Sequence, residues 1–420
     1  MDIAARPRMS APMAQDSDIV IVGGGLNGSA LALACARAGL TVTVVDRLTV
    51  DTRAEAGFDG RSYALALASQ RLLSALGLWG ELAPQAQPIL DIKASDGRPG
   101  EGAAPFFLHF DHAEIEEGPM GFMVEDRFLR RALLAAIEAE AHITHRPGET
   151  VVAQEVDGAG ARVRLASGAE LSAALLVGAD GKASGVAERA GIRRTGWDYG
   201  QTALVCAVEH DRPHAGCAHQ FFMPGGPLAI LPLKGNRSSI VWSEKRGLAE
   251  HIAALDDAGF LAELRPRFGD FLGDIRLAGD RYSYPLGLSL ADRIVAERLA
   301  LVGDAAQSIH PIAGQGLNQG LRDVAALAEV LAGALRRGED IGAAPVLERH
   351  RQWRSFDRAS LALATDAFNR LFSNDNPILR LGRDLGMGVV SHLPGLRRRF
   401  IREAAGLTGD VPRLLQGQPI

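Results

Sequence analysis

The chain has 420 residues, 47 % hydrophobic and 23 % charged, with a net charge of -5. That length allows two or three domains, or one large α/β unit carrying an insertion. The acidic balance and the 5 % aromatic content argue against nucleic acid as the main partner, since neither a basic footprint nor rows of stacking rings are present.

Residues 1–15 hold two arginines and no apolar stretch, so they read as a disordered N-terminus rather than a secretory signal. From Ser17 to Arg47 the order is strand, glycine-rich turn, helix, strand. Ile19, Val20, Ile21 and Val22 show no alternation, as a strand buried on both faces requires. Leu26, Ala30, Leu33 and Ala34 then form a helical stripe that Gly39 closes. Residues 63–79 read as helix, and 88–118 are rich in turn formers. Residues 125–141 are helical again, 150–179 are hairpin material, and 200–245 are strand-rich. The α/β texture returns at 281, and beyond 322 the chain reads as nearly all helix. No apolar run of about 18 residues offers a membrane span. Cys35, Cys206 and Cys217 are too widely spaced for a zinc site, and their odd number suits a reducing compartment.

The fold class is therefore α/β (α+β). A Rossmann-like domain is expected from residues 16–90, 120–193 and 281–365. A mostly antiparallel β-sheet substrate domain, 91–119 and 194–280, is inserted, and 366–420 form a C-terminal helical region.

Three motifs carry chemistry. Gly23-x-Gly25-x-x-Gly28 sits between strand and helix, with Asp46 closing the next strand. The first glycine permits a tight turn, the second lets a pyrophosphate approach the backbone, and the third lets helix and strand pack closely. Asp46 is spaced to accept hydrogen bonds from an adenosine ribose. Asp180-Gly181 follows a buried strand, and Gly303-Asp304 ends another. After them comes HPIAGQGLNQGLRD (310–323), which is glycine-rich yet runs into a helix.

In this order the motifs resemble those of class A flavin monooxygenases, the para-hydroxybenzoate hydroxylase-like group. HPIAGQGLNQG narrows the resemblance to the ubiquinone-biosynthesis hydroxylases. DGRSYAL (59–65), LGLW (76–79), GFMVEDR (121–127), GPLAILPL (226–233) and TDAFNRLFSNDNPILRLGRDLGM (365–387) agree with it. The resemblance runs from Asp18 to Arg399. It departs at Ala187, where the group often has an arginine, and this bears on the pyridine-nucleotide contact.

The resemblance implies FAD as cofactor, O2 as co-substrate, and NADH, NADPH or a protein as electron donor. The substrate it implies is a polyprenylated phenol of ubiquinone biosynthesis, hydroxylated through a C4a-hydroperoxyflavin. FAD would meet Gly23, Gly25, Gly28, Asp46 and Arg47 at one end. Asp180 and Gly181 would lie near the pyrophosphate and the nicotinamide cofactor, Gly303 and Asp304 near the ribityl chain, and Arg61 and Arg127 would contact the flavin or the nicotinamide. Pro311, Gly314, Gln315 and Gly316 would position the flavin ring, with Leu317 and Asn318 beside them. No acid or base residue and no metal ligand is assigned. His310 reads as structural before Pro311 more than as a proton carrier. Phe222, Met223, Leu231 and Trp242 are the candidate substrate wall, with ordinary sheet core as the competing reading.

Ile378, Leu381, Leu385 and Val389 repeat at helical spacing, and LRRRFIR (396–402) is basic. Two readings stay open there, a helix packed on the protein or a membrane-surface contact. The family implies a bacterial cytoplasmic protein, peripheral on the inner membrane and near other ubiquinone-biosynthesis enzymes. The alternatives are a reductase or epoxidase of the same fold, or a non-catalytic subunit of a quinone-biosynthesis assembly.

Overall fold

The computed structural model describes residues 15–100, 102–308, 315–355 and 393–420. The expectations for the N-terminus at 1–14, for His310, Pro311 and Gly314, and for the helical repeat at 378–389 lie outside the described residues.

The first sheet begins with Ser17–Val22, which pairs in parallel with Val42–Asp46 on one side and Glu170–Gly178 on the other. Ile143–Pro147 extends it beyond Val42–Asp46, and Leu299–Leu301 extends it beyond Glu170–Gly178. Helix Leu26–Arg37 covers one face with alanines and leucines at most 3 % exposed. Gly39, at φ +95, lets the Leu40 N–H return to the Cys35 carbonyl and ends that helix. Helix Gln315–Arg336 lies against Leu26–Arg37 in the same core. The 150–179 stretch is an antiparallel meander that feeds directly into Glu170–Gly178.

The second sheet is mostly antiparallel. Its order is Gln307–Ser308, Tyr282–Ala291, Arg194–His210, Arg237–Lys245, Gly226–Leu233, Cys217–Met223, Asp91–Arg98, Gly102–Asp111. Helices Arg246–Ala254 and Asp257–Phe268 cover its outer face, where Trp242, Phe260, Phe268 and Ile240 pack at 1 % exposure or less. A small third sheet, from Ser62–Ala66, Gln87–Ile89 and Gly121–Glu125, meets strand Gly226–Leu233 of the second sheet and helix Gln315–Arg336.

Two details differ from the sequence reading. Residues 62–66 are a strand and only Leu67–Ala75 is the helix. The second sheet also keeps the chain through Ala291, beyond the boundary at 281. Tyr282–Ala291 is a long partner of Arg194–His210, and the return to the first sheet comes at Leu299–Leu301.

The last segment is tied down. Arg322 donates to the Gly406 and Thr408 carbonyls, the Trp353 indole donates to the Asp410 carbonyl, and Leu414 and Leu415 are 2 % exposed.

Candidate active site

The glycines of the first motif divide by what surrounds them. A β-carbon on Gly23 would stand 2.4 Å from the Ala179 carbonyl oxygen, and one on Gly28 1.9 Å from the Gly23 carbonyl oxygen. Both mark contact between backbones, and Gly23 also takes φ +105. Gly25 is the opposite case, with no atom within 4 Å of where its β-carbon would be. It starts helix Leu26–Arg37 with no side-chain cap and no acid in the first turn. Among the described residues no side chain caps the N–H groups of that turn, which leaves them to an anion.

A second helix entrance lies alongside. Gly316, in the first turn of Gln315–Arg336, likewise has nothing within 4 Å of its β-carbon position. The motif reading passed over Asn27. Its amide fills the space that β-carbons on Gly303 and Gly320 would need, at 2.4 and 2.3 Å. Its Oδ1 is buried without a hydrogen-bond partner among the described residues. Gly320, one of the glycines that made 310–323 look unlike a helix, is small to admit Asn27.

Gly303-Asp304 forms a tight turn, with Gly303 at φ +61. The Gly303 N–H donates to Asp323, whose other carboxylate oxygen accepts from Arg354 at 2.7 Å. Both side chains of that pair are 1 % exposed. Arg354 donates to Gln319 as well, so a buried charge pair fixes the second helix entrance against the turn. Asp304 itself stays exposed. Desolvation by the surrounding walls holds its carboxyl above the usual range, against the pull of Arg194 and Lys182. Arg194 spans the turn, donating to the Asp304 and Ala305 carbonyls and to Ser289. An open cavity of about 310 Å³ next to it is lined by Lys182, Arg194, Trp197 and Leu288.

Several expected contacts are arranged differently. Asp46 does not present an open carboxylate. It is 5 % exposed and lies 3.3 Å from the guanidinium of Arg53, itself 1 % exposed and donating to Ser29. Desolvation lowers the Arg53 pKa while Asp46 opposes that shift. Arg47 is exposed. The Asp180 carboxylate turns inward, accepting from Ser184 Oγ and the Val186 N–H to cap the short helix Gly185–Arg189. Gly181, at φ +84, leaves the turn open. Asn318 accepts from the Ala66 N–H and Ser69 and donates to the Ala64 carbonyl, so its amide joins helix to strand. Leu317 packs against the same core.

Arg61 and Arg127 come from neighbouring elements. Arg61 pairs with Asp59 and with Asp126, 3.4 Å away, and lies over the Tyr282 ring. Desolvation pulls its pKa down, but the bonds to Asp59 and the charge of Asp126 hold it above the ordinary value. Beside it, burial and Asp126 push the Tyr63 hydroxyl up. Arg127 shares the buried carboxylate of Glu125 with Arg237, and both guanidiniums face the Phe58 ring.

The four proposed wall residues fall on two faces. Met223 and Trp242 point to the helix-covered side, where Trp242 meets Phe260 and Arg267. They are core. Leu231 and Phe222 point the other way, toward the first sheet's side, Leu231 among Met120, Met123 and Phe58. Strand register on this inner face aligns Tyr282, Val205, Val241, Ala229, Gln220 and Ala94 as one row across six strands. Tyr282, Val205, Val241, Ala229 and Gln220 are half-buried, so the row is a partly open wall of mainly small apolar side chains. Alternation along the strands would have found it, because each residue sits one position from a core residue.

The comparisons with known proteins join this geometry. Residues 16–352 match the family model for the FAD binding domain. The chain is 47 % identical over 407 residues to the ubiquinone hydroxylase UbiL of Rhodospirillum rubrum, covering 96 % of this chain and 94 % of that one. It belongs to the FAD-dependent hydroxylases of ubiquinone biosynthesis. The 3-demethoxyubiquinol 3-hydroxylase of Escherichia coli is 35 % identical over 94 % of this hydroxylase and 99 % of its own length. The structure of p-nitrophenol 4-monooxygenase PnpA from Pseudomonas putida DLL-E4 shares the fold, with TM-score 0.79, 20 % identity and coverage of 95 % and 100 %.

The chain is an FAD-dependent monooxygenase, and its residues fit that cofactor. Gly25 and Gly316 leave two helix entrances uncrowded, and the buried Asn27 oxygen, packed on Gly303 and Gly320, has no hydrogen-bond partner among the described residues. When bound, FAD supplies the oxygen-activating chemistry. The protein supplies donors, charge and walls.

Proposed function

We propose that this hydroxylase oxidises the ring of a polyprenylated phenol, with O2 as co-substrate and NADH or NADPH as electron donor. The observation that carries the reading is the half-open row Val205, Val241, Ala229 on the inner face of the second sheet. Strands lie about 4.8 Å apart, so one aromatic ring spans two positions of the row. Small apolar side chains there exclude water while leaving room for the ring. Helix entrances at Gly25 and Gly316 would hold the pyrophosphate and the flavin ring, and their dipoles favour a reduced, anionic cofactor. Asp304 would hold the ribityl chain. Lys182 and Arg194, on the cavity beside Asp304, supply the positive charge that a pyridine dinucleotide needs.

Helix Pro394–Ala404 supports a route for the polyprenyl tail. Ile401 packs into the protein, and Arg397 and Arg402 pair with Glu114 and Glu117. The neighbouring face leaves Leu393, Leu396 and Phe400 between 36 % and 48 % exposed, with Arg398 and Arg399 beside them. One helix thus serves both open readings, docked through one stripe and offering an apolar, basic stripe to an anionic membrane surface. No helix among the described residues is long and apolar enough to cross a membrane.

The test uses purified FAD-loaded protein, NADH or NADPH, isotopically labelled O2 and 2-farnesylphenol. The expected result is donor oxidation accelerated by the phenol and one labelled oxygen on its ring. Donor oxidation that leaves the phenol unchanged would overturn the proposal.

A further inference from the structure

Gln220 interrupts the apolar row, and among the described residues nothing occupies its amide. It lies on strand Cys217–Met223 between Ala218 and Phe222, both of which face inward. Its cross-strand neighbours are Ala229 on one side and Ala94 on the other. Both are too short to reach an amide or to cover it. Gln220 is half-buried, and no hydrogen bond or ionic partner meets its side chain among the described residues. Other polar side chains along this side of the sheet, as far as Arg61 at the Tyr282 end of the row, are used. Gln201 donates to the Gly225 carbonyl, and Arg61 is held by Asp59 and Asp126. Its amide is open to solvent rather than sealed in the core, so a ligand that displaces water from this face can take it up.

We propose that Gln220 is the anchor for the ring oxygen of the substrate, and that it sets which ring carbon faces the flavin. This rests on the functional reading above. An amide matches a phenol hydroxyl in both senses, because Oε1 accepts the phenol proton and the Nε2 group donates to a phenol oxygen. Ala229 and Val241 then carry the ring itself, one and two strands away. A ring fixed at one oxygen can turn only about that bond. The distance from Gln220 to the flavin therefore selects the position that is oxidised. A hydrogen bond accepted by Oε1 also leaves more electron density on the phenol oxygen, which activates the ring carbons ortho and para to it.

The probes are 2-farnesylphenol and its methyl ether, titrated into FAD-loaded protein while the flavin absorbance is followed. Wild type should bind the phenol about tenfold more tightly than the ether, the worth of one well-made hydrogen bond. Gln220→Leu, similar in volume, should lose that preference by weakening phenol binding about tenfold and the ether, which can only accept from Nε2, by clearly less. Gln220→Asn keeps the amide but draws it back by one methylene. It should retain part of the preference and shift the ratio of hydroxylated isomers. Equal binding of both ligands by wild type and Gln220→Leu would overturn the anchor, as would a Gln220→Leu loss of equal size for both. Wild-type protein that binds neither ligand would remove the functional reading itself, and the anchor with it.

Discussion

At the glycine-rich turn, β-carbons on Gly23 and Gly28 would fall 2.4 and 1.9 Å from carbonyl oxygens. On the inner face of the second sheet, Val205, Val241 and Ala229 stay half-open. The cofactor side is made by backbones brought too close for side chains, and buried pairs such as Arg354–Asp323 hold it there. The substrate side is made by side chains kept short on a regular sheet. Binding a phosphate-bearing cofactor needs fixed N–H groups and tolerates no slack. Admitting a ring on a long tail needs a shaped gap. Substitutions should therefore act on different quantities in the two regions.

The largest effects belong to the glycines. Gly28→Ala drives a methyl into the Gly23 carbonyl, a backbone clash worth about 3 kcal/mol. FAD retention should fall by about 100-fold, and the melting temperature of the apoprotein should fall with it. Gly25→Ala has φ -62 and open space, so the apoprotein should keep its stability to within about 0.5 kcal/mol. Its FAD affinity should still drop about tenfold, because the methyl enters space that a pyrophosphate requires. Thermal melts of the apoprotein and fluorescence titration with FAD separate the two. Equal behaviour of both variants would dissolve the distinction between packing and binding glycines.

Next come the buried charges. Asp323→Asn removes the carboxylate that Arg354 pairs with at 1 % exposure and should cost about 3–5 kcal/mol in chemical denaturation. The double variant Asp323→Leu with Arg354→Met should recover most of that, because no buried charge is left unpaired. Its FAD affinity should remain weakened, since the Gly303 N–H has lost its acceptor. A double variant no more stable than the single one would show that the pair contributes more than mutual neutralisation.

How much of this the sequence discloses follows the same division. Gly23 and Gly28 are legible because one residue type alone fits a backbone contact, so the motif survives as letters. Arg53, Arg354 and Asn27 are not. Each acts through a partner distant in sequence or through an unfilled hydrogen bond, and an arginine among so many carries no local sign. Asp180 and Asn318 turn their side chains inward, because short polar side chains satisfy the nearest N–H first. On the wall, bulk misleads. Trp242 is large and so drew attention, yet it is core, while its neighbour Val241 lies on the open row. Period-two alternation distinguishes them, but only once the covered face is known.

That neighbouring pair yields a third test. Ala229→Phe fills the row beside Val241 and should raise KM for 2-farnesylphenol at least about tenfold, with FAD affinity unchanged. Trp242→Phe removes packing against Phe260 and Arg267 and should cost about 1–3 kcal/mol of stability. Its KM should stay near wild type. A Trp242→Phe variant of normal stability and raised KM would move the wall to the other face of the sheet.

The smallest effect concerns Asp304, and its sign is informative. Desolvation holds its folded-state pKa above the unfolded value. The folded apoprotein then binds the proton more tightly than the unfolded chain does, so stability is lost as pH rises from the unfolded pKa through the raised folded one. At neutral pH the ionised carboxylate is a small liability that the apoprotein carries. Asp304→Asn removes it, so the apoprotein should melt slightly higher than wild type at pH 7. The difference should vanish below the unfolded carboxylate pKa. The same variant should bind FAD more weakly, since an amide is a poorer acceptor for ribityl hydroxyls than a carboxylate. Melting curves across pH on apoprotein, set beside FAD titrations, read both. A variant that is less stable at pH 7 and unaltered in FAD affinity would make Asp304 a structural residue of the turn.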